Sequence, residues 1–190
     1  MKTVCMILGL CAFIPGIAQS NCTEVPAPAP TPTATPTPMP SPTPTPTPNP
    51  TQEIIIDNLD SEFSIVAGTW GTADTTDGSG CYGPDFRYHI ADRINIGIAR
   101  FTPTVMTTGS YTVYIYWSAD PNRTAAQPVI VHDASGDTTY YVNLQQSHGQ
   151  WYQLGSHTFN TGTDGYIEFN TDTGAGGYCN ADAVRLVSEF

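Results

Sequence analysis

Catalysis needs a nucleophile, a base and an orienting group placed by role, and this 190-residue chain offers none of the arrangements that signal them. His89, His132, His148 and His157 are scattered, and neither HExxH, GxSxG nor a paired metal-ligand spacing occurs. Ser, His and Asp are present as in any domain of this size, but no triad follows from their order. A non-catalytic chain is predicted. Carboxylates are more suggestive. Asp57, Asp60 and Glu62 lie near the first predicted strand and Asp182 lies in the last. If those strands lie side by side, the four can gather around a structural calcium ion, which takes about six to eight oxygen ligands. The alternative is that they cap loops or pair with Arg87, Arg100 or Arg185, since their spacing matches no dedicated calcium loop. No other cofactor is indicated.

Sugar binding asks for flat aromatic faces to stack on C–H surfaces and polar groups to fix the hydroxyls. Trp70, Tyr82, Trp117, Tyr140, Tyr141, Trp151, Tyr152 and Tyr178 are available. Alternation assigns Trp117 and Trp151 to the core. Tyr82, Tyr152 and Tyr178 adjoin predicted loops and are the aromatic candidates for a glycan site, with Asn122, Arg123 and Gln150 as polar companions. Asn122-Arg123-Thr124 is also an N-glycosylation sequon, relevant where the host modifies asparagine.

Of five cysteines, Cys5 and Cys11 fall in an N-terminal leader, which leaves Cys22, Cys81 and Cys179. In an oxidising compartment an odd count means one pair and one remainder. Cys81 and Cys179 both lie in the foldable region and are expected to pair, closing a loop of roughly 100 residues worth up to about 4.7 kcal/mol in the chain-entropy model. Cys22 either links two chains, reaches an anchor or stays a free thiol.

The elements that carry these residues begin with the leader. Residues 1–20 run from Lys2 through an apolar stretch, Val4–Ile17, to Ala18-Gln19-Ser20, the pattern of a secretory signal peptide, so the mature chain is expected to start at Asn21 and to be secreted, extracellular or at the cell surface. The apolar stretch is shorter than the roughly 20 residues of a membrane span, and no small residue precedes Cys11 or Cys22 to suggest a lipid anchor. Losing the leader removes the only lysine. Five arginines then face 17 acidic residues, a balance that repels nucleic acid and anionic membranes and leaves neutral polymers or divalent cations as partners.

Residues 21–50 form a Pro/Thr-rich stem. From Pro26 to Pro50 proline recurs at nearly every second position, which fixes φ, removes amide donors and predicts an extended polyproline II rod. Thr31, Thr33, Thr35, Thr37, Ser41, Thr43, Thr45 and Thr47 fill the gaps. That composition marks O-glycosylated stalks, and three residues per turn against a two-residue repeat spreads the hydroxyls around the rod.

Residues 51–190 read as one all-β domain. Short runs of β-type residues recur between Gly, Pro, Asn and Asp clusters, and no stretch keeps a helical period over three turns. In Tyr111–Trp117 the residues Tyr111, Val113, Ile115 and Trp117 share the core face, while Thr112, Tyr114 and Tyr116 face outward. About ten such strands predict a jelly-roll-type antiparallel β-sandwich.

Several segments recur in a familiar order: Ile55–Ser64, Gly68-Thr69-Trp70, Tyr82–Tyr88, Ala99–Pro103, Tyr111–Tyr114, Gln150–Gly155 and Ala181–Leu186. Together they resemble the golvesin C-terminal-like domain, also found at the ends of xanthan-lyase-type and other secreted bacterial enzymes. The resemblance implies a sandwich like those of carbohydrate-binding modules, used as an accessory rather than as a catalyst. Cys81 and Cys179 depart from the family pattern, as an added clamp would. Two functions follow: an adhesive module holding an extracellular or cell-surface glycan at the end of the stem, or a subunit of a self-assembling glycosylated fibre or coat.

Overall fold

The computed structural model describes residues 51–74, 80–147 and 149–189. The leader, the stem with its eight hydroxyl sites, Cys22 and His148 lie outside them. The described residues form twelve strands: β1 (Glu53–Asp57), β2 (Phe63–Ala67), β3 (Gly71–Asp74), β4 (Asp85–Ile90), β5 (Ile98–Phe101), β6 (Gly109–Tyr116), β7 (Gln127–Asp133), β8 (Gly136–Val142), β9 (Tyr152–Phe159), β10 (Tyr166–Asn170), β11 (Tyr178–Ala181) and β12 (Ala183–Ser188). All named pairings are antiparallel, in the orders β1-β12-β6-β9, β2-β5-β10-β7-β8 and β11-β4-β3. The all-β sandwich expected from the sequence is the fold observed. Among the described residues no helix is long and apolar enough to cross a membrane.

The core lies between the first two sheets. Ile56, Val184, Leu186, Val113 and Ile115 face Ala99, Phe101, Val129, Val131, Ile167 and Phe169, all essentially removed from solvent. Burying side chains of this size stabilises by about 1.5–3 kcal/mol each, and aromatic contacts between neighbouring strands reinforce each sheet: Phe101–Phe169 (5.3 Å) in the five-stranded and Tyr111–Phe159 (6.0 Å) in the four-stranded one. The terminal strands do lie side by side: β1 pairs with β12 from Glu53↔Val187 to Asp57↔Ala183.

Two features shape the surface. β11 and β12 are separated only by Asp182, so the chain passes from the three-stranded to the four-stranded sheet at one buried residue. A β-bulge interrupts β9, where Val113 pairs with Gly155 but Tyr114 pairs with Gln153. The extra residue, Leu154, reverses the alternation on its far side. That reversal corrects the assignment of Trp151 to the core: it is half-buried and packs on Tyr82 (5.2 Å) and Tyr116 (5.4 Å). Trp117, by contrast, is buried as expected, with its indole N–H donating to the Gln146 carbonyl (2.9 Å).

The Cys81–Cys179 bridge is not formed; both are free thiols. The register sets Cys179 opposite His89 within the three-stranded sheet, whereas the Cys81 thiol points to the Gly83 carbonyl (3.5 Å). Burial pushes Cys179 up to about 12, and burial together with the nearby Asp182 carboxyl pushes Cys81 up to about 11.

Candidate functional site

A cleft of about 420 Å³ opens on the three-stranded sheet, lined by Thr72, Ala73 and Asp74 of β3, Tyr88 of β4, Tyr178 of β11, and Arg123 from the loop before β7. Tyr88 and Tyr178 meet edge to face at 5.8 Å and 84°. Gly71 pairs with Tyr88, and a Cβ there would lie 2.5 Å from the Tyr88 ring, so the missing side chain makes room for the tyrosine. Thr72 accepts a hydrogen bond from Arg87 on its other side.

Arg123 is 8% exposed and firmly placed. Its Nε donates to the Ser118 carbonyl (3.3 Å), one terminal nitrogen donates to Asn122 Oδ1 (2.8 Å), and the guanidinium lies over the Phe86 ring (5.1 Å). Backbone bonds clip its loop to β11: Tyr178 N–H donates to Asn122 O (3.1 Å) and Thr124 N–H to Tyr178 O (2.9 Å). Gly177 permits this approach. At its φ of +83° a Cβ would come within 2.7 Å of the Arg123 backbone, so only glycine fits. The cleft thus joins two tyrosine rings with their phenolic hydroxyls, a braced guanidinium and one carboxylate. Such a set stacks on and hydrogen-bonds to a polyhydroxylated ligand.

Of the six residues expected to bind glycan, Tyr178 and Arg123 line the cleft and Asn122 braces Arg123. The other three lie elsewhere. Tyr82 belongs to the cluster with Tyr116 and Trp151, next to the exposed Gln150, and Tyr152 packs edge to face on Trp117 (5.3 Å). Sequence reasoning missed Tyr88, Thr72 and Asp74. Strand alternation alone does not tell which face of a short sheet lines a cleft.

The carboxylates gather differently from the set expected. Asp182 is wholly buried and takes the Tyr82 N–H on both oxygens (3.2 Å each), and burial, with Asp57 and Asp85 nearby, pushes it up to about 8. Burial also raises Asp57, whose Oδ1 accepts the Leu59 N–H (3.0 Å). Asp85 accepts from Asn58 Nδ2 (2.5 Å). Asp60 instead accepts the Asp57 N–H (2.8 Å), and Glu62 accepts the Ser61 hydroxyl (2.8 Å). Asp57 Oδ2 and Asn58 Oδ1 are buried without a partner, but two oxygens fall well short of a calcium shell. Among the described residues no three His, Cys, Asp or Glu side chains come close enough to hold a metal ion, so the calcium set does not fit.

Residues 54–188 match the family described as Golvesin C-terminal domain. A xanthan lyase of Bacillus sp. (strain GL1) is 34% identical over 137 residues, 71% of this chain but 14% of that protein. The structure of a Paenibacillus xanthan lyase superposes with a TM-score of 0.65 at 36% identity, over 72% of this chain and 13% of that one. This chain therefore spans about one seventh of those enzymes' length. A family 35 carbohydrate-binding module from Cellvibrio japonicus shares the fold at a TM-score of 0.53 and 14% identity, covering 73% of this chain and 95% of the module.

Proposed function

Because the chain belongs to the golvesin C-terminal domain family, we propose that it is a secreted glycan-binding module that holds an extracellular or cell-surface polysaccharide without transforming it. The cleft of Tyr88, Tyr178 and Arg123 carries this reading, because it combines aromatic edges and faces with a fixed guanidinium in a concave site. The likeness in fold to carbohydrate-binding modules supports it, as does the chain's formal charge of −11, which favours a neutral polymer. In this reading residues 21–50 are a glycosylated spacer that sets the module's distance from its origin. Calorimetric titration of the secreted chain with soluble polysaccharides tests it: binding is expected, and Tyr178→Ala is expected to weaken it about tenfold or more, the loss of one good stacking contact.

A second reading, a subunit of a self-assembling glycosylated fibre or coat, is favoured by β2. This strand ends the five-stranded sheet and leaves Ile65 41% and Val66 50% exposed, with no charged residue of its own to discourage edge pairing.

A further inference from the structure

The outer face of the four-stranded sheet carries aromatic rings that the core does not use. Its register aligns Ile55, Arg185, Tyr114 and Gln153 in one row across β1, β12, β6 and β9, with Tyr116 opposite Ala183 in the next. The inward residues between them, Val113, Ile115, Val184 and Leu186, are buried. Over the outward row Tyr82, Tyr116 and Trp151 meet pairwise at 5.2–5.7 Å with interplanar angles of 54–67–72°, from the loop before β4, from β6 and from the residue preceding β9. None of these contacts is a parallel stack, so no ring lies flat over another's face. All three rings stay half-buried.

We propose that the face built by Tyr82, Tyr114, Tyr116 and Trp151 is a second polysaccharide-binding surface, separate from the cleft, that takes an uncharged glycan chain. Three observations choose this occupant. The Arg185 guanidinium lies 5.4 Å from the Tyr114 ring centre and 5.9 Å from that of Trp151, but its Nε is paired with Glu53 (2.6 Å), so its charge is already matched and an anionic ligand gains little. The exposed Gln150 and Gln153 flank the rings. Their amides both donate and accept, which suits hydroxyls; a proline-rich peptide, the other common partner of tyrosine and tryptophan clusters, offers mainly acceptors. Finally, the rings are fixed in advance: Tyr82 through its N–H on Asp182, Tyr116 by its strand, and Trp151 by the bulge that turns it outward. Preorganised rings lose little entropy when a ligand stacks on them.

The second surface shares its ligand class with the cleft and none of its residues, so the two can fail independently. Two surfaces on one module favour long chains over short oligosaccharides, because the second contact is made at high effective concentration. The test titrates the secreted chain with a soluble galactomannan and with a mixed-linkage glucan, comparing wild type, Trp151→Ala, Trp151→Phe and Tyr178→Ala. Trp151→Ala is expected to weaken binding roughly tenfold, Trp151→Phe to keep most of it, and Tyr178→Ala to leave a remainder that Trp151→Ala abolishes when the two are combined. Wild-type affinity in Trp151→Ala overturns the proposal while leaving the cleft reading intact. A proline-rich peptide that binds through Trp151 when neither polysaccharide does also overturns it. If Tyr178→Ala is silent and Trp151→Ala is not, the cleft fails and the second surface stands.

Discussion

At the scale of the residue, Asp182 is the most consequential side chain outside the cleft. It joins β11 to β12, holds the Tyr82 N–H, and is wholly buried beside the half-buried Asp57 and Asp85. Its folded value of about 8 lies above the ordinary carboxylate value, so the folded chain keeps a proton that the unfolded chain has released. Stability from this group is therefore full in acid and declines as pH rises from about 4 to 8, by at most ~1.4 kcal/mol per pH unit. Asp182→Asn keeps an acceptor for Tyr82 and removes the titration. Its melting temperature is expected to vary less over that window than the wild type's and to exceed it near pH 8. Scans in calcium and in EDTA are expected to superimpose for wild type, since among the described residues no three carboxylates come close enough to hold an ion. A wild-type profile parallel to that of Asp182→Asn contradicts the account.

At the scale of the element, what could be read in advance was whatever strand alternation governs. The inward face of Tyr111–Trp117 and the pairing of the terminal strands follow from period-two patterning and chain ends meeting. What could not be read was set by irregularities and by tertiary register. The bulge at Leu154 turned Trp151 outward, and its one local signal is the adjacent Gly155 inside the strand. Cys81 and Cys179, whose isolation within one domain suggested a bond, stand as free thiols, with Cys179 opposite His89 in the three-stranded sheet. The cleft was half legible: Tyr178 and Arg123 came from loop position, but Tyr88 and Thr72 join them only because a third, small sheet exists. Gly177 is the joint of that arrangement. Gly177→Ala is expected to cost about 1–3 kcal/mol through its positive φ and its clash with the Arg123 backbone, and to weaken ligand binding as well. Chemical denaturation and calorimetry on one sample check both; unchanged stability contradicts the packing described.

At the scale of the whole molecule, a compact sandwich and a Pro/Thr-rich segment divide the work in the proposed reading, the first recognising and the second spacing. The mass of the secreted protein bears on both halves. Mass spectrometry is expected to give a chain starting at Asn21 and heavier than its bare sequence by added hexoses, while light scattering under oxidising and reducing conditions distinguishes a soluble module from the fibre subunit. A bare mass removes the sugar sheath, and reversible growth of large particles favours the fibre.

In the proposed reading the Tyr88–Tyr178–Arg123 cleft binds glycan. Calorimetric titration of wild type and Tyr178→Ala against the same neutral polysaccharides is its most direct test. Saturable binding by wild type, reduced about tenfold or more by the substitution, is the result predicted. Equal affinity in the two proteins, or no heat with any polysaccharide, contradicts it.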